Sequence, residues 1–154
     1  MRTSHFRSTP RFVAAGCAAL MFGLVGCGSG ETASKADGTV VSVDLKEWAF
    51  DASSKTAPAG KVTFKAKNRG KEVHELVLFK SDLAPADLPV DAEGAVDESG
   101  AGLELIDEVE NVKPGETKEF SVDLKPGKYV MACNVVENGQ RHFMNAMYAE
   151  FTVV

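Results

Sequence analysis

Short runs of β-branched and aromatic residues, separated by turn residues, recur along the chain from Thr39 onward. This spacing constrains the fold more than any other feature of the sequence. Proline and glycine stand between the runs, as at Pro114–Gly115 and Pro126–Gly127, and these residues favour tight turns. The predicted strands are 39–45, 61–67, 73–80, 103–109, 117–124, 128–134 and 147–154. Strands at such intervals predict an all-β fold, a Greek-key sandwich or barrel.

One of these runs shows the alternation of a half-buried strand. Between residues 61 and 67, the apolar side chains of Val62, Phe64 and Ala66 alternate with lysine and threonine. Because successive side chains of a strand point to opposite faces, these three residues are predicted to face the core. The polar residues between them are predicted to face solvent.

The first 26 residues have the layout of a bacterial export signal. Three arginines without any acid precede an apolar run of 14 residues, 12–25, which is shorter than the roughly 20 residues of a transmembrane helix. The run ends at Leu24-Val25-Gly26-Cys27, which resembles the bacterial lipobox, where the cysteine receives a diacylglyceryl group. We therefore expect 1–26 to be a lipoprotein signal peptide and Cys27 to be lipidated. The alternative is an uncleaved anchor or an ordinary secretory signal.

Residues 27–38 would then form the lipidated cysteine and a flexible linker, since this stretch is composed mainly of small and polar residues. Two acyl chains hold a protein stably on a membrane, whereas a single chain binds marginally. The remaining domain, 39–154, is thus predicted to be a membrane-anchored lipoprotein domain outside the cytoplasm.

Charge limits the classes of partner. The chain has 17 Lys+Arg against 22 Asp+Glu, and removal of 1–26 would leave 14 basic residues and the same 22 acids. A net negative domain is poorly suited to a phosphate backbone, so no nucleic acid is expected. The segment 81–110 contains ten of the acids and no Lys or Arg. Its simplest interpretation is a solvated connecting loop over 81–102, and the alternative is a docking face for a basic partner.

Residues with metal-binding chemistry are scarce in the mature chain, which has two histidines and one unmodified cysteine. Cys133, His142 and Met147 are spaced C-x8-H-x4-M between the last two predicted strands, so one loop could bring them together, and His74 would come from another strand. Two imidazoles, a thiolate and a thioether are the donors of a trigonal copper site with a weak axial sulfur. The alternative is that His74 and Cys133 are ordinary buried core residues.

The segments 57–79, 127–133 and 142–147 together resemble the cupredoxins, the blue (type 1) copper family, and the similarity covers about 39–154. The resemblance implies a cupredoxin-like fold and one copper ion that cycles between Cu(I) and Cu(II). It also implies that His74, Cys133 and His142 are equatorial ligands and that Met147 is axial, with Met144 as the competing axial residue. Two features depart from the family: a long Cys-to-His loop, similar to that of copper nitrite reductases, and Ala146 where glycine usually precedes the axial methionine.

The function that this resemblance implies is that of a one-electron carrier whose partners are redox proteins. We expect the protein to be a monomer and to have no enzymatic activity. Electrons would pass through the edge of His142, surrounded by Val135, Val136 and Phe143, while Asn134 would supply a hydrogen bond that fixes the loop. Two alternatives remain. One is a copper carrier or buffer that serves a copper-receiving apo-protein, and the other is a metal-free binding module.

Overall fold

The structure, a computed structural model, describes residues 38–154. The predicted signal peptide, Cys27 and the linker up to residue 37 lie outside the described residues. No helix in the described part is long and apolar enough to cross a membrane.

Strands dominate the described residues, and one 3-10 turn, Pro85–Asp87, lies between two of them. The strands are β1 (Thr39–Lys46), β2 (Ala49–Ala52), β3 (Thr56–Ala57), β4 (Gly60–Asn68), β5 (His74–Lys80), β6 (Glu104–Val112), β7 (Thr117–Leu124), β8 (Gly127–Ala132), β9 (Val136–Glu137), β10 (Gln140–Arg141) and β11 (Tyr148–Val153).

Two sheets form the body of the domain, in the orders β2-β1-β4-β7 and β3-β11-β8-β5-β6. The β1–β4 and β3–β11 pairs are parallel and the other neighbours are antiparallel, while β9 and β10 make a separate two-stranded hairpin. Side chains of both sheets meet in one core, where the rings of Phe64 and Phe151 lie 5.2 Å apart. The predicted all-β sandwich is confirmed.

The alternation predicted for 61–67 is also confirmed. Val62, Phe64 and Ala66 are fully buried, while the residues between them are partly or fully exposed. Phe64 stacks on Phe120 of the neighbouring strand β7. Burying a side chain of this size contributes about 1.5–3 kcal/mol, so β4 is a principal anchor of the first sheet.

Strand β5 is buried on both faces. Leu76 and Leu78 face the core between the sheets, whereas Val77 and Phe79 belong to a second apolar cluster on the other face. Residues Leu88 and Val96 of the acidic segment complete this second cluster. The interpretation of 81–102 as a merely solvated loop is therefore wrong, because the segment covers an apolar sheet face that would otherwise contact water.

The ends of the strands differ from the prediction where the site lies. Strand β7 has the predicted bounds, but β8 ends at Ala132 and leaves Cys133 and Asn134 beyond the sheet. The short strands β2, β3, β9 and β10 were not predicted, since segments of two to four residues are too short for a periodic pattern.

Candidate metal centre

His74 is the first residue of β5, and the buried amide of Asn68 determines where that strand begins. The Asn68 side chain donates to the carbonyls of Glu72 and Val112 (2.7 and 2.8 Å) and accepts from the amide of Gly70 (2.8 Å). These bonds satisfy all the polar atoms of a side chain that is 1% exposed. The turn before β5 is thereby fixed, and His74 enters the core fully buried.

Cys133 and Met147 lie side by side at the end of the sandwich. The amide of Cys133 donates to the carbonyl of Met147 (3.2 Å), and both residues are fully buried. The amide of Glu75 lies 3.5 Å from Cys133 Sγ and donates to it. Strand β5 therefore contributes both an imidazole and a hydrogen bond to the sulfur.

His142 is held by the loop that returns the chain from β8 to β11. Its amide donates to the carbonyl of Val135 (3.0 Å), and its own carbonyl accepts from the amide of Met147 (3.1 Å). The hairpin of β9 and β10 spans the exposed part of this loop. The result is that His142, although it belongs to a loop, is 1% exposed.

Three donor atoms converge at this point. The Nδ1 atoms of His74 and His142 are 3.2 Å apart, and Cys133 Sγ lies 3.3 Å from His142 Nδ1 and 4.0 Å from His74 Nδ1. Donors bound about 2.0–2.3 Å from one ion at trigonal angles lie about 3.5–3.7 Å from each other. The spacing and the donor types therefore fit one soft or borderline metal ion, and the three residues form a candidate copper site.

The two methionines considered for the axial position differ in burial. Met147 is fully buried beside Cys133, whereas Met144 is 57% exposed. The structure thus places Met147 next to the cluster and directs Met144 towards solvent, which favours Met147 as the fourth donor.

The protonation of the cluster follows from its burial. Burial lowers the pKa of His74 and of His142, and in His142 the neighbouring His74 lowers the pKa further, while Glu47 and Glu72 oppose these shifts. Both imidazoles are therefore biased towards the neutral form that binds metals. Burial also raises the pKa of Cys133 to about 12, against hydrogen bonds from the amides of Glu75 and Val135. A metal ion would have to displace the thiol proton.

The outer face of each imidazole contacts an acid. His74 Nε2 lies 3.4 Å from Glu47 Oε1, without the alignment of a hydrogen bond, and His142 Nε2 lies 3.2 Å from Glu72 Oε2. Partial burial raises the pKa of Glu47, but hydrogen bonds from the amides of Glu72 and Lys71 outweigh that effect and lower it to about 2. Glu47 is thus a carboxylate beside a neutral imidazole.

The prediction that the edge of His142 is exposed within an apolar rim is wrong. The ring is 1% exposed, and the ring of Trp48 packs against it edge to face with centroids 4.8 Å apart. Phe143 is buried in the second apolar cluster, and among the predicted rim residues Val136 is the most exposed, at 43%. The cover arises because β1 and β2 bring Glu47 and Trp48 over the end of the sandwich.

Asn134 contributes a hydrogen bond, but its partner is not the loop that contains it. Its side chain accepts from the amide of Val96 (2.9 Å) and donates to Glu98 Oε1 (3.2 Å), which ties the acidic segment to the residue after Cys133. The Asn134 amide donates to Glu75 Oε1 (2.6 Å). Burial raises the pKa of Glu75 to about 7, against this hydrogen bond and with the help of nearby carboxylates.

Sequence reasoning missed the residues that surround the donors: Glu47, Trp48, Glu72 and Glu75. A signal was present for two of them, because Glu72 and Glu75 flank His74 in the segment Glu-Val-His-Glu. Glu47 and Trp48 gave none, since they reach the site from a different turn of the fold.

Comparison with known proteins agrees with this geometry. The model of the family described as "Cupredoxin-like domain" matches residues 16–143, a span that includes His74, Cys133 and His142 and ends before Met147. The iron uptake system component EfeO of Yersinia pseudotuberculosis is 25% identical over 107 residues, covering 70% of this chain and 23% of EfeO. The chain thus spans about a quarter of the length of that relative.

Two solved structures share the fold. Dithionite-reduced auracyanin from Roseiflexus castenholzii matches with a TM-score of 0.57 and 25% identity, covering 75% of this chain and 97% of auracyanin. Auracyanin A from Chloroflexus aurantiacus, described as a "blue" copper protein, matches with a TM-score of 0.54 and 23% identity over 75% and 98% of the two chains. Together with the family match over most of its length, these observations show that the chain belongs to the cupredoxin-like domain family.

Proposed function

We propose that this protein binds one copper ion through His74, Cys133, His142 and Met147 and acts as a one-electron carrier. The observation that supports this most directly is the convergence of two imidazole nitrogens and one sulfur, all within 4.0 Å of each other and all buried. Auracyanin A, a blue copper protein, has the same fold.

The surroundings of the donors suit electron transfer. Copper supplies a one-electron couple when it is bound. The donors are held by the strands of the five-stranded sheet and by backbone hydrogen bonds of the loop, so the protein fixes their positions independently of the oxidation state. Such rigidity keeps the reorganisation that accompanies each electron small. Trp48 and Glu72 separate His142 from solvent, so electrons would leave through this cover rather than through an exposed imidazole edge.

Titration with Cu(II) tests the proposal. The protein isolated from cells is expected to bind one copper ion and to develop the intense visible absorption of a thiolate–Cu(II) bond. Cys133→Ser is expected to remove this absorption, and Met144→Leu, at an exposed position, serves as the control that keeps it. A colourless wild-type protein after addition of excess Cu(II) would contradict the proposal.

A copper carrier or buffer is the second candidate, because the relative EfeO is named as a component of an iron uptake system, which also handles a metal as cargo. The burial of the donors favours the electron carrier, since a fully buried ion can leave only when the loop opens. Stopped-flow mixing with a copper chelator separates the two functions. If copper is lost faster than electrons are exchanged with a small redox reagent, the result would favour the copper carrier.

The proposal includes a lipid anchor at Cys27 that holds the domain on a membrane outside the cytoplasm, where redox proteins would be its partners. The supporting feature is the lipobox-like sequence at 24–27. Mass spectrometry of the N-terminal peptide tests this part separately. An unmodified Cys27 in the mature protein would exclude the anchor and leave the copper site unaffected.

A further inference from the structure

Each candidate histidine ligand lies between the metal cluster and a carboxylate. The Nδ1 atoms face Cys133, while the Nε2 atoms face Glu47 at 3.4 Å and Glu72 at 3.2 Å. A neutral imidazole carries one proton, and a nearby carboxylate favours its location on the nitrogen that faces the acid. The Nδ1 lone pairs are then free to bind the ion.

The carboxylate of Glu47 is held in place by the loop before β5. Its Oε1 accepts from the amides of Lys71 (2.5 Å) and Glu72 (2.9 Å). A Cβ atom at position 70 would overlap this carboxylate, so Gly70 leaves the space that Glu47 fills. The amide of Glu72 binds Glu47 while the side chain of Glu72 contacts His142, and one loop therefore connects both acids.

We propose that Glu47 and Glu72 are positioning residues that hold His74 and His142 in the tautomer and orientation required for copper. The inference rests on the proposed function, since it takes copper as the ion at this site. The two acids also place negative charge beside the metal site. With two neutral imidazoles and one thiolate, the oxidised site carries one positive charge and the reduced site none. Negative charges beside the site stabilise the oxidised state and lower the reduction potential.

Glu72 offers the cleaner test. Its side chain is 43% exposed and contacts His142, whereas Glu47 also binds two backbone amides that organise the loop. We therefore compare Glu72→Ala and Glu72→Gln with the control Glu119→Ala, which removes an exposed carboxylate of β7 that pairs with Lys65. All variants are isolated from cells in the same way as the wild-type protein.

The first measurement needs no copper. Nitrogen NMR of the imidazoles in the metal-free protein is expected to show His142 protonated at Nε2 in the wild type and in Glu119→Ala. In Glu72→Ala, a mixture of tautomers is expected. An unchanged tautomer in Glu72→Ala would overturn the inference.

The second measurement uses copper-loaded protein. Glu72→Ala is expected to bind copper 10- to 100-fold more weakly, and Glu72→Gln, which retains an oxygen acceptor, is expected to recover most of this loss. Both variants are expected to favour Cu(I) by up to tenfold, or about 59 mV for a one-electron couple. A purely structural role would lower the free energy of unfolding and leave the potential unchanged, and that result would overturn the inference.

Gly70→Ala extends the test to His74. The added methyl group is expected to displace the carboxylate of Glu47 and to shift the His74 tautomer in the same way, while the His142 signal remains as in the wild type. A wild-type protein that takes up no copper would overturn the proposed function instead. The tautomer measurement, which needs no copper, would then decide by itself whether Glu47 and Glu72 position the two imidazoles.

Discussion

The sheet side and the loop side of the candidate metal centre supply donors by different means. His74 begins β5, a strand buried on both faces, and Cys133 directly follows β8, which pairs with β5 and β11. His142 and Met147 belong to the loop 134–147, which is closed by hydrogen bonds such as that from the Met147 amide to the His142 carbonyl (3.1 Å). Burial of apolar area positions the first pair of donors, and local backbone bonds position the second pair. Truncations should therefore be costly in the buried strands of the sheet side and mild in the exposed hairpin of the loop side.

The largest effect is expected for Leu78→Ala. Leu78 is fully buried in β5, four residues from His74, and such a truncation leaves a cavity and lowers the free energy of unfolding by about 2–5 kcal/mol. Val136→Ala, in the exposed hairpin of the loop, should change it by no more than about 0.5 kcal/mol. Chemical denaturation of both variants measures the difference, and equal losses would contradict the comparison.

Glu75 lies where the two sides meet, and its contribution to the free energy of unfolding depends on pH. Its pKa in the folded protein is raised from 4.5 to about 7, so its stabilising contribution is complete below pH 4.5 and is lost as the pH rises through 7. Glu75→Gln does not titrate. Between pH 4.5 and about pH 8, the free energy of unfolding of the variant should rise relative to wild type by about 3 kcal/mol.

Denaturation of the metal-free proteins across this pH range measures the Glu75 effect. Glu119→Gln is the control, because its exposed carboxylate belongs to β7 of the other sheet and pairs with Lys65. A pH-independent difference between Glu75→Gln and wild type would show that Glu75 titrates normally.

Within the loop, the two methionines should differ. Met147→Leu conserves volume but changes a fully buried side chain, and it is expected to lower the free energy of unfolding by up to about 1.5 kcal/mol. Met144→Leu, at a side chain that is 57% exposed, should change it by less than about 0.5 kcal/mol. Thermal denaturation of the metal-free variants measures both, and a larger loss for Met144→Leu would reverse the assignment of the buried methionine.

Apart from the control substitutions Val136→Ala and Met144→Leu, the smallest effect is expected at Ala146, which adopts a left-handed backbone conformation with φ of 67°. Glycine reaches this region without steric cost, although it loses more conformational entropy on folding. Ala146→Gly should therefore change the free energy of unfolding by less than about 1 kcal/mol, in the stabilising direction. A loss of more than this, measured by denaturation, would show that the Ala146 methyl group is required for packing.

The fold could be predicted where the sequence has long periodic segments. Strand β7 has the predicted bounds, and β4 shows the expected alternation, because each has a polar face and a buried face. The pattern did not reveal that β5 is covered on both faces, since the second cover of Val77 and Phe79 is the irregular segment 81–103, which leaves β5 and folds back over the sheet. The periodicity of a strand depends on neighbouring residues in the chain, whereas the cover of a sheet face depends on how the rest of the chain packs against it.

The donors of the site could also be chosen from the sequence, because the mature chain offers few side chains of their kind. That His74, Cys133 and His142 converge was an expectation from a family resemblance, and the structure brings their donor atoms together. Burial of the His142 edge under Trp48 could not be foreseen. Trp48 lies 94 residues earlier in the chain, and only the packing of β1 and β2 against the end of the sandwich brings it to the site.

The amino-acid sequence by itself determined the strand periodicity, the scarcity of donors and the chemistry those donors can perform, because these depend on residue type and local spacing. The tertiary structure decided which nitrogen of each imidazole faces the cluster, which acids stand behind them and which methionine is buried. Such properties depend on distances between side chains that are far apart in the chain, and those distances exist only once the two sheets have packed.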